Sequence, residues 1–179
     1  MAIIKPNNNT ISAITALPNG IVSSSALASG VGGKVLQVVS VKSTTEISST
    51  TANTYVDSGL SLSITPTSSS NKVLVLVNQH IGIYQFNASR IGGTVKLLRS
   101  TTRIYGGIEQ YELFNQFGDT TTENLSAFYH RSNMNFLDSP STTSTITYKT
   151  QIAPSETGDV IKGQLNGYES TMTLMEIAG

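Results

Sequence analysis

From Gly33 onward apolar residues return at every second position, and that spacing confines the chain to strands. Leu60, Leu62 and Ile64 alternate with Ser61, Ser63 and Thr65, which reads as a strand buried on one face and closed by Pro66. Val35-Leu36-Gln37-Val38-Val39-Ser40-Val41, Thr94–Arg99 and Thr145–Ile152 continue the pattern. Lys72-Val73-Leu74-Val75-Leu76-Val77 is apolar on both faces, which predicts a central strand covered on both sides. Turn-forming clusters separate the runs at Ser68–Asn71, Gly92-Gly93, Gly106-Gly107, Ser139-Pro140-Ser141, Pro154-Ser155 and Asn166-Gly167. The last is a tight-turn signal, because Asn and Gly both tolerate positive φ. Glu109–Phe117 and Glu123–Tyr129 are the only candidates for short helices. The pattern predicts an all-β fold, an antiparallel β-sandwich or jelly roll over residues 34–179.

Residues 1–33 read differently. Short apolar islands (Ile11, Ile14, Leu17, Ile21, Val22, Leu27) lie in an Asn/Ser/Thr/Ala-rich segment broken by Pro6, Pro18, Gly20, Gly30, Gly32 and Gly33. The breaks are too frequent for a helix, and the islands too small for a core of their own. The expectation is an extended N-terminal anchoring arm that orders on a partner surface. No basic, then apolar, leader opens the chain, and no run approaches the ~20 apolar residues that span a bilayer, so membrane insertion is not expected.

The final run, Thr171-Met172-Thr173-Leu174-Met175-Glu176-Ile177, is largely apolar on both faces. Such a strand cannot lie exposed without inviting association. One face needs an opposing sheet; the other is most simply covered by a second copy of the chain.

Charge argues against several functions. Eleven Lys and Arg balance eleven Asp and Glu for a formal net charge of +0, whereas nucleic-acid binding needs a surplus of cations. With Cys 0 there are no disulfides, thiolate metal sites or cysteine nucleophiles. The two histidines, His80 and His130, stand at no zinc-site spacing, and no G-x-S-x-G elbow is present. Glu109/Glu112 and Asp119/Glu123 pair carboxylates without the aromatic frame of a sugar-cleaving cleft. Ser29–Val35 resembles a phosphate loop only superficially: Ala28 stands where its first Gly belongs, and Val35 replaces the Ser or Thr after Lys34. No enzyme activity, cofactor or metal is expected. Aromatic residues concentrate in Ile104–Leu137 beside Arg103 and Arg131. Such rings either fill a core or interface or, on loops, contact a glycan or protein receptor. For the second role the candidates are Arg103, Tyr105, Tyr111, Phe114, Tyr129 and Arg131.

Three stretches carry a resemblance: the arm leading into Gly33–Val39, Phe136–Pro140 into Thr147-Tyr148-Lys149, and Glu169–Ile177. They resemble small virion proteins of tailed phages, trimeric jelly rolls related in shape to C1q/TNF heads. The resemblance implies that the first and last strands lie side by side and hold a homo-oligomer, a trimer, through Val35, Val39, Val41, Met172, Leu174, Met175 and Ile177. It further implies an arm docked on a tail, portal or major capsid protein, and a role as a short tail fibre touching a host-surface glycan or protein. A capsid decoration or head fibre, and a free glycan-binding module, stand as alternatives.

Overall fold

The computed structural model describes residues 34–85, 90–107, 114–117 and 126–179. Among them are eleven strands: β1 (Val35–Ser43), β2 (Ile47–Ser49), β3 (Val56–Ile64), β4 (Lys72–Gln85), β5 (Arg90–Arg99), β6 (Thr102–Gly106), β7 (Phe114–Phe117), β8 (Ser126–Asp138), β9 (Ile146–Pro154), β10 (Asp159–Gly163) and β11 (Ser170–Ile177). Every pairing is antiparallel. Sheet A is organised on the long strand β4. β8 flanks β4 along one side, while β11 and then β10 share the other, extending to β1 and β2. Sheet B runs β3-β9-β5-β6, with β7 also on β5. The two sheets form an antiparallel jelly-roll sandwich, and the first and last strands lie side by side along eight register pairs.

Period-2 alternation sets the core. Val73, Val75, Val77, Ile81 and Ile83 project inward from β4, and Leu97, Tyr148 and Ile152 meet them from sheet B, all within 3% of complete burial. Each such side chain contributes about 1.5–3 kcal/mol relative to exposure. Two polar clusters join the elements. Asp138 on β8 accepts bonds from Arg99 Nη1 (2.9 Å to each oxygen) and from the Tyr148 hydroxyl (2.7 Å), linking sheet A to sheet B. Glu176 on β11 accepts from Thr67 N (2.6 Å), Thr67 Oγ1 (2.8 Å), Asn71 Nδ2 (2.6 Å) and Gln37 Nε2 (2.7 Å), tying β1, β11 and the β3–β4 loop together.

Several expectations change. Phe114–Phe117 is strand β7, and Ser126–Tyr129 begins β8, where short helices were expected; the rest of those two segments lies outside the described residues. Their aromatic and β-branched neighbours across the ladder outweigh a weak local helical tendency. Gly92-Gly93 is no turn but the interior of β5. A Cβ on Gly93 would lie 2.8 Å from Ile161 Cδ1 across the sandwich, so this glycine permits close approach of the sheets. By contrast Gly106 and Gly107 (φ 66° and 67°) and Asn166-Gly167 (φ 55° and 75°) do turn the chain. The strand expected at Lys72–Val77 continues to Gln85; its core-side residues are buried, but Leu74 and Leu76 on the other face are only partly covered.

Candidate functional site

The ladder register lays out the outward face of sheet A as rows running across the strands. Val38, Met175, Leu74 and Leu137 are register partners in one row. Val38 is 54% and Leu137 48% exposed, and Val35 and Leu36 beside them are about as open (49% and 47%). The next rows are Ser40–Thr173–Leu76–Asn135 and Lys42–Thr171–Asn78–Asn133, where hydroxyls and amides take over. Beyond them β8 still flanks β4, pairing His80 with Arg131, Gly82 with Tyr129 and Tyr84 with Ala127, while β10 takes the place of β11 on the other side, with Lys162 on Gly82 and Val160 on Tyr84. The face therefore grades from an apolar end, through a polar middle, to an aromatic end.

The aromatic end forms where β11 stops and β10 begins along β4. The backbone there would lack partners; instead His80 N donates to Ser170 Oγ (2.9 Å), and Gln164 N donates to His80 O (3.0 Å). Gln164 (φ 53°) and Asn166 turn the chain, so that Leu165 packs over Gly82, where a Cβ would lie 2.5 Å from Leu165 Cδ2. That turn delivers the Tyr168 ring to 4.7 Å from the His80 ring. Tyr129 stacks 6.5 Å from His80 at 26° and meets Tyr84 edge-on at 6.4 Å. Arg131 Nη1 is held by Asn78 Oδ1 (2.8 Å) and Glu169 O (3.1 Å). His80, Tyr129, His130, Arg131 and Tyr168 line an open cleft of about 260 Å³.

Burial, and secondarily the Arg131 charge, lowers the His80 pKa, so this imidazole is neutral at pH 7. Its Nδ1 is buried without a hydrogen-bond partner. The Tyr84 hydroxyl is pushed up to about 12 by its hydrogen bond with Tyr129 and by burial. No group of three or more His, Asp or Glu able to hold a metal occurs among the described residues, and none of their helices is long and apolar enough to cross a membrane.

The residues singled out in the sequence separate accordingly. Tyr129 and Arg131 belong to the aromatic end. Arg103 and Tyr105 lie elsewhere, on edge strand β6, where Tyr105 packs 5.8 Å from Phe136 and Arg103 Nη1 donates to Gly106 O (2.9 Å). Tyr105 lines a second recess, of about 360 Å³, with Gly106, Ser132 and Met134. Phe114 opens β7, while Tyr111 and the arm residues Ile11, Ile14, Leu17, Ile21, Val22 and Leu27 lie outside the described residues. Of the expected interface set, Met172 and Leu174 need correction. Both are 0% exposed in the core of their own chain, because even-numbered positions of β11 face sheet B. Val39 and Val41 also turn inward, partly buried against that core. Val35, Met175 and Ile177 retain exposed or half-buried surface, joined by Leu36, Val38, Leu74 and Leu137, which the sequence reading passed over. His80, Tyr84 and Tyr168 were also missed as one cluster, since ladder register and the 164–167 turn, not proximity in sequence, bring them together.

No protein-family model matches the chain, and no curated protein matches its sequence. Similar solved structures include the VP2 subviral particle of infectious bursal disease virus, at 12% identity and TM-score 0.33 over 79% of this chain and 38% of that one. Another is the T13 particle of the same virus, at 14% identity and TM-score 0.34 over 82% and 36%. A third is dimeric latent PorU from Porphyromonas gingivalis, at 10% identity and TM-score 0.34 over 79% and 13%. The chain thus spans well under half the length of each of these proteins.

Proposed function

We propose that this chain is a non-enzymatic structural protein of a virus particle that assembles as a homo-oligomer through the apolar end of sheet A. The observation that carries this reading is the row Val38–Met175–Leu74–Leu137 with Val35, Leu36 and Ile177 beside it. Half-exposed side chains over this row present apolar area on the order of 400 Å², within the ~300–600 Å² range of the largest apolar patch on a soluble protein, which is often functional. It is also about the apolar share of one partner's side in a standard interface of ~800 Å² per subunit. A second copy suits it because the rows beside it carry mostly hydroxyls and amides, with charge limited to Lys42, which Glu169 pairs, and to Lys72 at the other margin, so self-pairing meets little repulsion. The phage resemblance of the sequence favours three copies around one axis, with residues 1–33 anchoring the trimer to a tail, portal or major capsid protein as a short tail fibre.

Immunogold electron microscopy of purified particles, with antibody against the full chain, tests the assignment. Label on the tail supports the fibre; label over the head makes the chain a shell decoration; particles without label refute a virion role.

A further inference from the structure

We propose that the aromatic end of sheet A is a saccharide-binding site that accommodates a single pyranose ring between Tyr168 and Tyr129, with Arg131 and His80 supplying its hydrogen bonds. The rings provide the first argument. Tyr168 is 54% and Tyr129 60% exposed, although both flank a His80 that is only 7% exposed. Phenol rings standing half in water around a buried polar floor offer an apolar body with a polar tip, which suits the C–H faces and hydroxyls of a sugar.

Fixed geometry is the second. Tyr84 backs one ring edge-on at 6.4 Å, the Leu165–Gly167 turn holds the other, and two acceptors hold Arg131 Nη1. A site whose side chains are already placed loses little entropy on binding. Charge is the third. The cleft lining has one guanidinium, the imidazoles of His80 and His130, and no carboxylate, so it has neither the acidic ligands of a cation site nor the run of Lys and Arg of a phosphate backbone site. Neutral polyhydroxyl groups, or a sugar carrying one carboxylate for Arg131, remain as ligands. Finally, about 260 Å³ is below the ~300–1,000 Å³ of pockets for drug-sized ligands and fits one ring.

So small and open a site binds one ring weakly, with Kd on the order of 1 mM. Repetition in an oligomer raises the apparent affinity for a polysaccharide by ~10²-fold or more when several sites engage at once. That gain rests on the oligomer proposed above; the single-ring site does not.

Saturation-transfer NMR on the full-length chain tests the site with methyl glycosides of glucose, galactose, mannose and N-acetylglucosamine, and with N-acetylneuraminic acid. At least one of them receives saturation from aromatic protons, and Tyr168→Ala weakens its binding roughly tenfold, with an unchanged far-UV spectrum. Arg131→Lys, which loses the planar fork, weakens it as well. If none of the probes binds at about 10 mM, well above the expected Kd, or if Tyr168→Ala and Arg131→Lys both bind as the native chain does, the proposal is wrong. Repeating the titration with a Leu137→Glu chain and a polymer of the responding sugar separates the two claims. Loss of polymer avidity with single-ring binding intact supports both the site and its independence from the oligomer. Loss of single-ring binding in a folded Leu137→Glu chain contradicts that independence.

Discussion

Replacing Glu176 with Gln examines the polar hub that closes one end of the sandwich. Glu176 is 0% exposed, and burial alone would raise its pKa. Bonds from Asn71, Gln37 and Thr67 overcome that penalty and hold the carboxyl at about 2, against an ordinary 4.5. A difference of this size corresponds to about 3 kcal/mol of stability from the ionised form. Because the folded pKa lies below the unfolded one, the contribution is complete above about pH 4.5 and is lost as pH falls through about 2. In Glu176→Gln the amide oxygen can keep the Thr67 and Asn71 donors. Its nitrogen then faces Gln37 Nε2, which cannot turn around without losing its bond to Thr65 O (2.8 Å). The variant should therefore lose about 3 kcal/mol at pH 7, read by urea denaturation at fixed protein concentration. The gap between native and variant should narrow as pH drops from 4.5 toward 2. The other carboxylates titrate in both proteins and cancel in the difference. A variant within ~0.5 kcal/mol of native at pH 7, or a gap that does not change in acid, would refute the reasoning.

Asp159 runs in the opposite direction: burial raises its pKa to about 6, Glu156 adds to the rise, and only the Gly92 N–H bond (3.2 Å) counters it. Its favourable contribution is present below about pH 4 and is lost as pH rises through 6, so Asp159→Asn should gain about 2 kcal/mol on the native chain between pH 4 and pH 7 in the same denaturation series. An advantage that is flat or shrinks over that window would contradict this. Tyr148→Phe removes one bond to the buried Asp138 and should cost about 2 kcal/mol in urea, with the fold intact by circular dichroism. An unchanged midpoint would mean that the Tyr148–Asp138 bond carries no net stability.

Much of the fold was legible in the sequence because a half-buried strand writes its burial into every second residue. Leu60, Leu62 and Ile64 were placed that way. β2, β6 and β10 were not, since three to five residues are too few to show a period. Gly92-Gly93 misled because glycine serves both turns and close approach, and only the presence of Ile161 across the sandwich tells which. The last strand announced that it needed covering on two faces. Which residues faced which way depended on register, hence the misplacement of Met172 and Leu174. At the aromatic end, Tyr129 and Arg131 were picked out by residue type within an aromatic-rich stretch, with Tyr129 expected at the end of a short helix rather than on a strand. His80 and Tyr168 join them only through the β4–β8 ladder and the turn after β10, which no local pattern encodes.

The most direct test of the central claim is sedimentation equilibrium of the full-length chain beside its Leu137→Glu variant. The account predicts a native species of three times the 19.0 kDa chain mass and a folded monomer for the variant, whose new charge would be buried unpaired in the interface. A native chain that stays monomeric at ~100 μM, or a variant that assembles like the native protein, would contradict it.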